Sequence, residues 1–297
     1  MKRWIILSAN LLVGTACFAG GLDAIEVTEV DLMPDGFFLG LGANYNSIYL
    51  TQNSWGKGIS TIQTSTGVIS NGVAQGSGAP FNHTANTFAP EIQAGYFKYM
   101  TDTPNLYGIK FSYQYLGSIA TNSNLYIPQL GQTTNSSTGV TSSLFGYVNA
   151  DSVQVTTNHE MTLLAFVGRS FGNKYFYVGA GPSVFNLNSK NYYSIGYADF
   201  EGVTIDVTGL VSYSSPSIWV WGGAAQVGMM YFISPTWFVD ASYTYAITGH
   251  DTIDHEQAFS NSSSVGTTSY TTSGTLVTKD NLSVNNQSLT LLINKIF

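Results

Sequence analysis

The amino-acid sequence predicts an all-β fold, an eight-stranded antiparallel up-and-down transmembrane β-barrel with long outer loops. Three observations lead to this prediction. Apolar and polar residues alternate in eight separate stretches, long connections alternate with short turns between them, and charged residues make up only 9% of the chain. Soluble domains carry ~25% charged residues. Because hydrocarbon offers no partner to an unpaired backbone group, a sheet that spans a membrane must close on itself.

The N-terminal segment predicts export from the cytoplasm. Lys2 and Arg3 form a basic start, an apolar stretch follows, and small residues around Ala19 offer a cut site, which together indicate a secretory signal peptide. The apolar stretch is too short for a membrane helix, which needs ~20 residues. The predicted organisation has three parts: signal peptide 1–19, an acidic periplasmic lead-in 20–35, and an outer-membrane β-barrel 36–297.

The single cysteine leaves one alternative open at this end of the chain. Cys17 could be the lipidated residue of a lipoprotein, but Gly14 stands where a lipobox has a branched side chain. If the signal peptide is cut after Ala19, the mature chain has no cysteine. It then has no disulfide bond, although an exported protein could form one.

Each of the eight stretches reads as a strand because side chains along a strand point alternately to opposite faces. In the third stretch, Tyr107, Ile109 and Phe111 share one face, while Lys110 and Gln114 lie on the other. The apolar face is predicted to meet lipid and the polar face to line the lumen. The predicted strands are 37–50, 88–100, 106–116, 158–168, 175–185, 218–232, 237–247 and the terminal stretch that ends at Phe297.

The connections between these strands alternate in length. Three are short and turn-like, at 101–105, 169–174 and 234–236. Four are long and rich in Ser, Thr, Asn and Gly, which is the arrangement of outer-membrane barrels with periplasmic turns and surface loops. These predicted loops are 51–87, 117–157, 186–217 and 248–284.

Two alternatives to the eight-strand plan remain open. Residues 192–213 alternate well enough to form a further hairpin, which gives ten strands, or else to extend the barrel wall beyond the membrane. A soluble β-sandwich also alternates, but it explains neither the scarcity of charge nor the alternation of long and short connections.

A family resemblance rests on this pattern over residues 36–297. The terminal alternation of Leu289, Leu291 and Ile293, closing on Phe297, is similar to the assembly signal of bacterial outer-membrane barrels. The eight-strand plan resembles the opacity-type surface antigens and the membrane domain of outer membrane protein A. The resemblance implies the outer membrane of a Gram-negative bacterium, with function carried by the surface loops.

Composition limits the function further. The net charge of −7 argues against nucleic acid as a partner, since phosphate contacts need a basic patch. The expected partners are outer-membrane lipids, lipopolysaccharide, and host or cell-surface ligands of the loops. We expect a surface antigen, adhesin or structural protein, without enzymatic activity or cofactor. The alternatives are a small channel or porin and, less favoured, a barrel lipid hydrolase with His159 as its base.

One charge pair is predicted inside the barrel. Side chains fill the interior of an eight-stranded barrel, and Lys110 and Asp240 face that interior from opposite strands at similar heights above their turns. They are predicted to pair across the lumen. Alternatively, each is solvated or hydrogen-bonded to a neighbouring glutamine, Gln93, Gln114 or Gln226.

Two further lumen carboxylates, Glu91 and Glu160, lie higher with no evident cation, so water or protonation is expected there. A weak metal candidate is the cluster of His250, Asp251, Asp254 and His255, because two histidines and a carboxylate can hold a metal ion. This spacing matches no strong metal signature. A solvated polar turn is the favoured interpretation.

Overall fold

A computed structural model describes residues 35–200, 203–265 and 267–297. The predicted signal peptide and lead-in therefore lie outside the described residues, apart from Asp35. The described residues form twelve strands: β1 (Gly36–Thr64), β2 (Gly67–Ser77), β3 (Phe81–Tyr99), β4 (Asn105–Asn135), β5 (Thr141–Phe171), β6 (Lys174–Phe200), β7 (Val203–Asp206), β8 (Val211–Ser214), β9 (Ile218–Ser234), β10 (Trp237–Thr248), β11 (Asp251–Val265) and β12 (Thr268–Ile296). No helix in this part of the chain is long and apolar enough to cross a membrane.

Eight of these strands close into a ring, so the predicted barrel fold is confirmed. Antiparallel ladders join β1 to β3, and then β4, β5, β6, β9, β10 and β12 in turn. The ring closes where β12 pairs with β1, from Phe38 opposite Ile296 to Gln63 opposite Thr271. The alternation before Phe297 is thus the closing strand of the barrel.

The two faces of the ring are divided as the alternation predicts. Outward side chains are large and apolar, and Phe88 and Leu41 are 79% and 70% exposed. Inward side chains include Asn46 and Asn294, which are fully buried. An apolar outside is stable only where the surroundings are also apolar, so this face marks the lipid-contacting band.

The prediction of long loops is wrong, because most residues in those four segments continue the strands of the sheet. β4 and β5 are each 31 residues long. At ~3.3 Å per residue and a tilt near 40° such a strand rises roughly 80 Å, about three times the ~25 Å height of a lipid-facing band. We call the described residues of 51–87, 117–157, 186–217 and 248–284 the outer wall.

The strand count also differs from eight, because β2, β7, β8 and β11 form within the outer wall. Residues 192–213 supply the end of β6 together with β7 and β8, which both pair with β6. They lie outside the closed ring and extend the wall, so they do not make a ten-stranded membrane barrel.

The interior of the outer wall explains why it is sheet. Leu125, Ile127, Val148 and Val153 point inward and form an apolar core with other residues of the wall. Thr121 and Ser123 of the same β4 strand point outward and are exposed. Burial of the apolar face stabilises the sheet, while hydroxyl side chains on the other face remain hydrated.

Along one line of the outer wall, neighbouring strands are joined by side-chain contacts and not by backbone hydrogen bonds. β11 pairs with β12, and β7 and β8 pair with β6, but within the described residues no ladder joins β11 to β7 or β8. Rings of Tyr213 and His255 lie 4.2 Å apart across this line, and Asn261 Nδ2 donates to the Asp206 carbonyl at 3.1 Å. We call this line the seam.

Candidate functional site

The lumen is filled at its turn end by a layer of aromatic side chains. Phe38, Phe97 and Phe238 are buried there and contact one another, with ring centroids 5.4–6.3 Å apart. Tyr99 joins this layer against Tyr175, with ring centroids 6.0 Å apart, because it shares the inward face of Phe97.

Two inward glycines make room for this layer. A Cβ at Gly108 would lie 2.5 Å from the Phe166 ring, and a Cβ at Gly228 would lie 2.4 Å from the Tyr177 ring. Because real Cβ atoms do not approach so closely, these positions admit only glycine while the rings stay in place. Gly228 thereby leaves room for the Tyr177 ring, whose hydroxyl reaches the next layer.

Above the aromatic layer the structure brings Lys110 and Asp240 together. Lys110 Nζ lies 3.1 Å from Asp240 Oδ2, with the two side chains 2% and 0% exposed. Tyr177 Oη accepts from Lys110 Nζ at 2.7 Å and donates to Asp240 Oδ1 at 2.7 Å. Gln93 Nε2 also donates to Asp240 Oδ2, at 3.3 Å. A buried pair persists only when its remaining donors and acceptors are satisfied, and Tyr177 and Gln93 do this here.

Side-chain amides surround the two other lumen carboxylates. Glu91 Oε2 accepts from Asn44 Nδ2 at 2.6 Å. Glu160 Oε2 accepts from Gln114 Nε2 and from Asn286 Nδ2, both at 2.7 Å. Glu160 Oε1 is buried without a partner. The sequence prediction of water or protonation thus missed these amide donors, although their inward phase could have indicated them.

Two more layers fill the lumen above these carboxylates. Aliphatic residues, among them Ile48, Leu116 and Val284, form a buried cluster. Above it Asp280 is buried and accepts from Ser54 Oγ at 2.6 Å and Gln52 Nε2 at 3.0 Å. The interior therefore alternates apolar and hydrogen-bonded layers.

The metal candidates do not converge on one point. Asp254 pairs with Lys279 on the surface, with Nζ and Oδ2 3.3 Å apart. His255 points to the other face of β11 and stacks on Tyr213, while His250 and Asp251 are exposed at the start of that strand. Across the described ranges, no group of three His, Cys, Asp or Glu side chains is arranged to hold a metal ion.

His159 lies on the lipid-facing side of the ring, as its phase predicts. Tyr113 Oη is 2.9 Å from His159 Nδ1, and the rings of Tyr115 and Trp219 lie 5.3 and 6.2 Å from the imidazole. Its nitrogen therefore has a tyrosine as partner rather than a nucleophilic serine. The next residue, Glu160, points the opposite way into the lumen, so the two do not act as a pair.

Aromatic residues mark both edges of the lipid-facing band. Tyr45, Tyr115 and Trp219 are exposed at the loop end. At the turn end Lys295 Nζ lies 5.6 Å from the Trp237 ring centroid and 5.3 Å from that of Phe297. Aromatic girdles with a lysine at the interface are the arrangement of outer-membrane barrels.

No protein-family model matches this chain, and a search of curated proteins finds no match either. Solved structures that are similar to it include bacterial outer-membrane proteins. Neisserial surface protein A is 13% identical, with 84% of this chain and 97% of that chain covered and a TM-score of 0.26. Outer membrane protein OprG from Pseudomonas aeruginosa is 11% identical, with 84% and 96% covered and a TM-score of 0.29.

Ail, the attachment invasion locus protein of Yersinia pestis, is 11% identical, with 79% of this chain and 97% of that chain covered and a TM-score of 0.22. Similarities at this level say nothing about what the present chain does. The specific resemblance to opacity-type antigens and outer membrane protein A stays a prediction. The closed ring, the lipid-facing band and the aromatic girdles themselves make this chain an outer-membrane β-barrel.

Proposed function

We propose that this barrel works by contact at the cell surface, as an adhesin, surface antigen or structural protein, through its outer wall. The observation that carries the proposal is the size and order of that wall. Its strands continue those of the membrane ring and bury an apolar core of their own. Ordering so many residues outside the membrane costs conformational entropy, so a folded surface of this size favours a function that uses it. Contact with outer-membrane lipids and lipopolysaccharide belongs to the same proposal, through the lipid-facing band.

The filled lumen favours contact over transport. A small channel needs a continuous aqueous path, whereas Phe97, Phe238 and Tyr175 lie fully buried across the turn end. The proposal includes no catalytic step, because the His159 imidazole is hydrogen-bonded to the Tyr113 hydroxyl and stacked on the Trp219 ring. Assays of phospholipid and lipid A turnover should give the same result for the full chain and for His159→Ala.

The test compares bacteria that display the full chain with bacteria that display a shortened outer wall. Trp55 and Ser77 are directly opposite on β1 and β2, so residues 56–76 can be replaced by an Asn-Gly turn. We expect adherence to a cell monolayer, or aggregation of the bacteria, to fall severalfold in the shortened variant. Unboiled gel mobility checks that both barrels are folded.

The same two proteins are then reconstituted in planar bilayers. The proposal expects no stepwise conductance from the full chain. Steady channel openings together with unchanged adherence of the shortened variant would instead establish the small channel.

A further inference from the structure

The outer wall carries a stack of three tyrosines on its outward face. Tyr126, Tyr147 and Tyr197 come from the adjacent strands β4, β5 and β6. Ring centroids are 5.1 Å apart between Tyr126 and Tyr147, and 4.9 Å apart between Tyr147 and Tyr197. We call these residues the tyrosine ladder. Tyr126 is 52% exposed, so the ladder is surface and not core.

Apolar neighbours extend the ladder into a patch. Leu130 and Phe145 are directly opposite on β4 and β5, are 65% and 59% exposed, and point to the same face. Pro128, opposite Tyr147, is exposed between them. Contiguous exposed apolar surface of this kind on a soluble wall marks an interaction site.

Lipid is not what covers this patch. A polar row, formed by Thr121, Gln154 and Lys190 directly opposite one another, separates it from the lipid-facing band. Tyr126 lies eleven residues beyond Tyr115 of the girdle, which is roughly 25–30 Å at the usual strand rise and tilt. The occupant therefore comes from the medium outside the membrane.

Each of two aromatic residues in this patch has a carboxylate directly opposite it on the neighbouring strand. Asp206 of β7 is directly opposite Tyr197, and Asp199 of β6 is directly opposite Phe145. The Gly209 N–H donates to Asp206 Oδ1 at 2.7 Å, which holds that carboxylate in place. Two ring–carboxylate pairs thus lie side by side, and Tyr197 and Asp199 are two residues apart on one strand.

The negative charge of the outer wall favours a cationic partner. Residues 51–87, 117–157, 186–217 and 248–284 contain eight acidic residues and three lysines, so this surface attracts cations. Guanidinium groups stack on aromatic rings and pair with carboxylates at the same time, which ammonium groups do less well.

We propose that the tyrosine ladder and its flanking carboxylates bind an extended, arginine-containing segment of a partner protein. Alternate residues of an extended chain are ~6.6–6.8 Å apart on one face. The two ring–carboxylate pairs are offset by two residues along β6 and by one strand across it, a diagonal step of roughly 7–8 Å, so two alternate arginine side chains can reach both pairs. One arginine lies against Tyr197 and Asp206, and the next against Phe145 and Asp199. This inference rests on the proposed contact function and names the partner for one face of the wall.

The test uses the full barrel in lipid nanodiscs and a fluorescent peptide with arginine at alternate positions. Anisotropy measures its affinity beside a lysine peptide of equal length and charge. We expect the lysine peptide to bind about tenfold more weakly, since stacking is lost. Tyr197→Ser and Phe145→Ser should each weaken arginine-peptide binding by a similar factor.

The matched control removes the same kind of charge elsewhere on the wall. The control is Glu256→Gln on β11. Glu256 is exposed and lies five residues along the strand from Asn261, which contacts Asp206 across the seam, a separation of roughly 16 Å. This variant should leave the affinity within about twofold, as expected for a distant exposed charge. Asp206→Asn should weaken binding of the arginine peptide and make that binding less sensitive to salt, because one ion pair is lost.

Several outcomes would overturn the inference. Equal affinity for the two peptides, or an equal loss in Glu256→Gln, would mean unspecific attraction to an acidic surface. Binding of neutral oligosaccharides that Tyr197→Ser abolishes, or self-association lost in that variant, would assign the patch to a sugar or to a second copy. If no peptide binds while adherence still depends on the outer wall, this inference fails and the contact function stands.

Discussion

The membrane ring and the outer wall are built from the same strands with opposite polarity. Along β4, Tyr107 and Phe111 point outward to lipid while Lys110 points into the lumen. Higher on the same strand, Ile127 points inward and Thr121 points outward. The alternation continues above a one-residue shift at Asn124, where the backbone has a φ of 57°, and the solvent outside has changed. The comparison teaches that the polarity of the outward side chains, outside the patch around the tyrosine ladder, divides this chain into a lipid-facing and a water-facing part.

The two regions also treat charge differently. Lys110 and Asp240 are sealed in the ring with further hydrogen bonds, whereas Lys279 and Asp254 are exposed on the wall with a similar separation. Water screens the second pair and not the first. The predictions below use such matched positions, from the largest expected effect to the smallest.

Removing the cation of the lumen pair should destabilise the barrel most. Lys110→Met leaves Asp240 buried with an uncompensated charge, a change that costs about 3–5 kcal/mol. Lys279→Met on the wall should cost under about 1 kcal/mol, as is usual for exposed ion pairs. Urea titration of the refolded barrel in lipid vesicles, followed by tryptophan fluorescence, measures both.

The double variant Lys110→Met with Asp240→Leu provides the control. Because an apolar pair leaves no stranded charge, it should recover most of the loss. Equal unfolding midpoints for the Lys110→Met and Lys279→Met variants would contradict the difference between the two regions.

A charge on the outer face distinguishes lipid from water directly. Leu41→Arg places a cation near the middle of the lipid-facing band and should cost about 2–4 kcal/mol. Thr121→Arg, on the outward face of the wall, should change the free energy of unfolding by about 0.5 kcal/mol at most. The same vesicle titration compares them. A similar cost at both positions would show that the lipid-facing band extends further than we place it.

The smallest effect concerns pH at the seam. Burial lowers the pKa of His255, and nearby Asp280 and Asp254 oppose this only in part. Since the folded state disfavours the charged ring, its contribution is fully present above the ordinary pKa near 6.5. It is lost as pH falls below that value toward the lowered pKa.

Hydrogen exchange should therefore speed up along β11 between pH 7.5 and pH 5, after correction for the intrinsic rate, and remain unchanged in β10. The reason is that charging His255 weakens its contact with Tyr213. His255→Phe keeps a ring there and should remove the pH dependence, whereas His250→Phe at the exposed neighbouring position should keep it. A pH response that persists in His255→Phe would assign it to another group.

Much of the ring could be predicted because its signal is local. Alternation sets the face of each residue, and the turns at 101–105 and 234–236 set the heights of Lys110 and Asp240 above a common end. The same parity rule places Tyr177 inward, yet its bridging role depends on Gly228 across a strand pair. Such contacts between distant strands have no signature in one sequence.

The outer wall was predicted as loops for a physical reason. Its strands are rich in Ser, Thr, Asn and Gly, which also favour turns, and their apolar positions are sparse. Leu125 and Ile127 form only one short alternation, which does not by itself predict a strand. Their burial becomes clear only in the structure, where they pack with Val148 and Val153 of the next strand. The tyrosine ladder likewise draws one residue from each of three strands, so register, which one sequence does not reveal, decides it.

The antiparallel pairing of β1 with β12 has a consequence for how the barrel folds. It joins residues as far apart in the chain as Phe38 and Ile296, so closing the ring brings together residues that are among the most distant in sequence. Closing so long a span costs chain entropy before any contact repays it. Until these two strands pair, both are open edges whose unpaired backbone groups can pair with other chains.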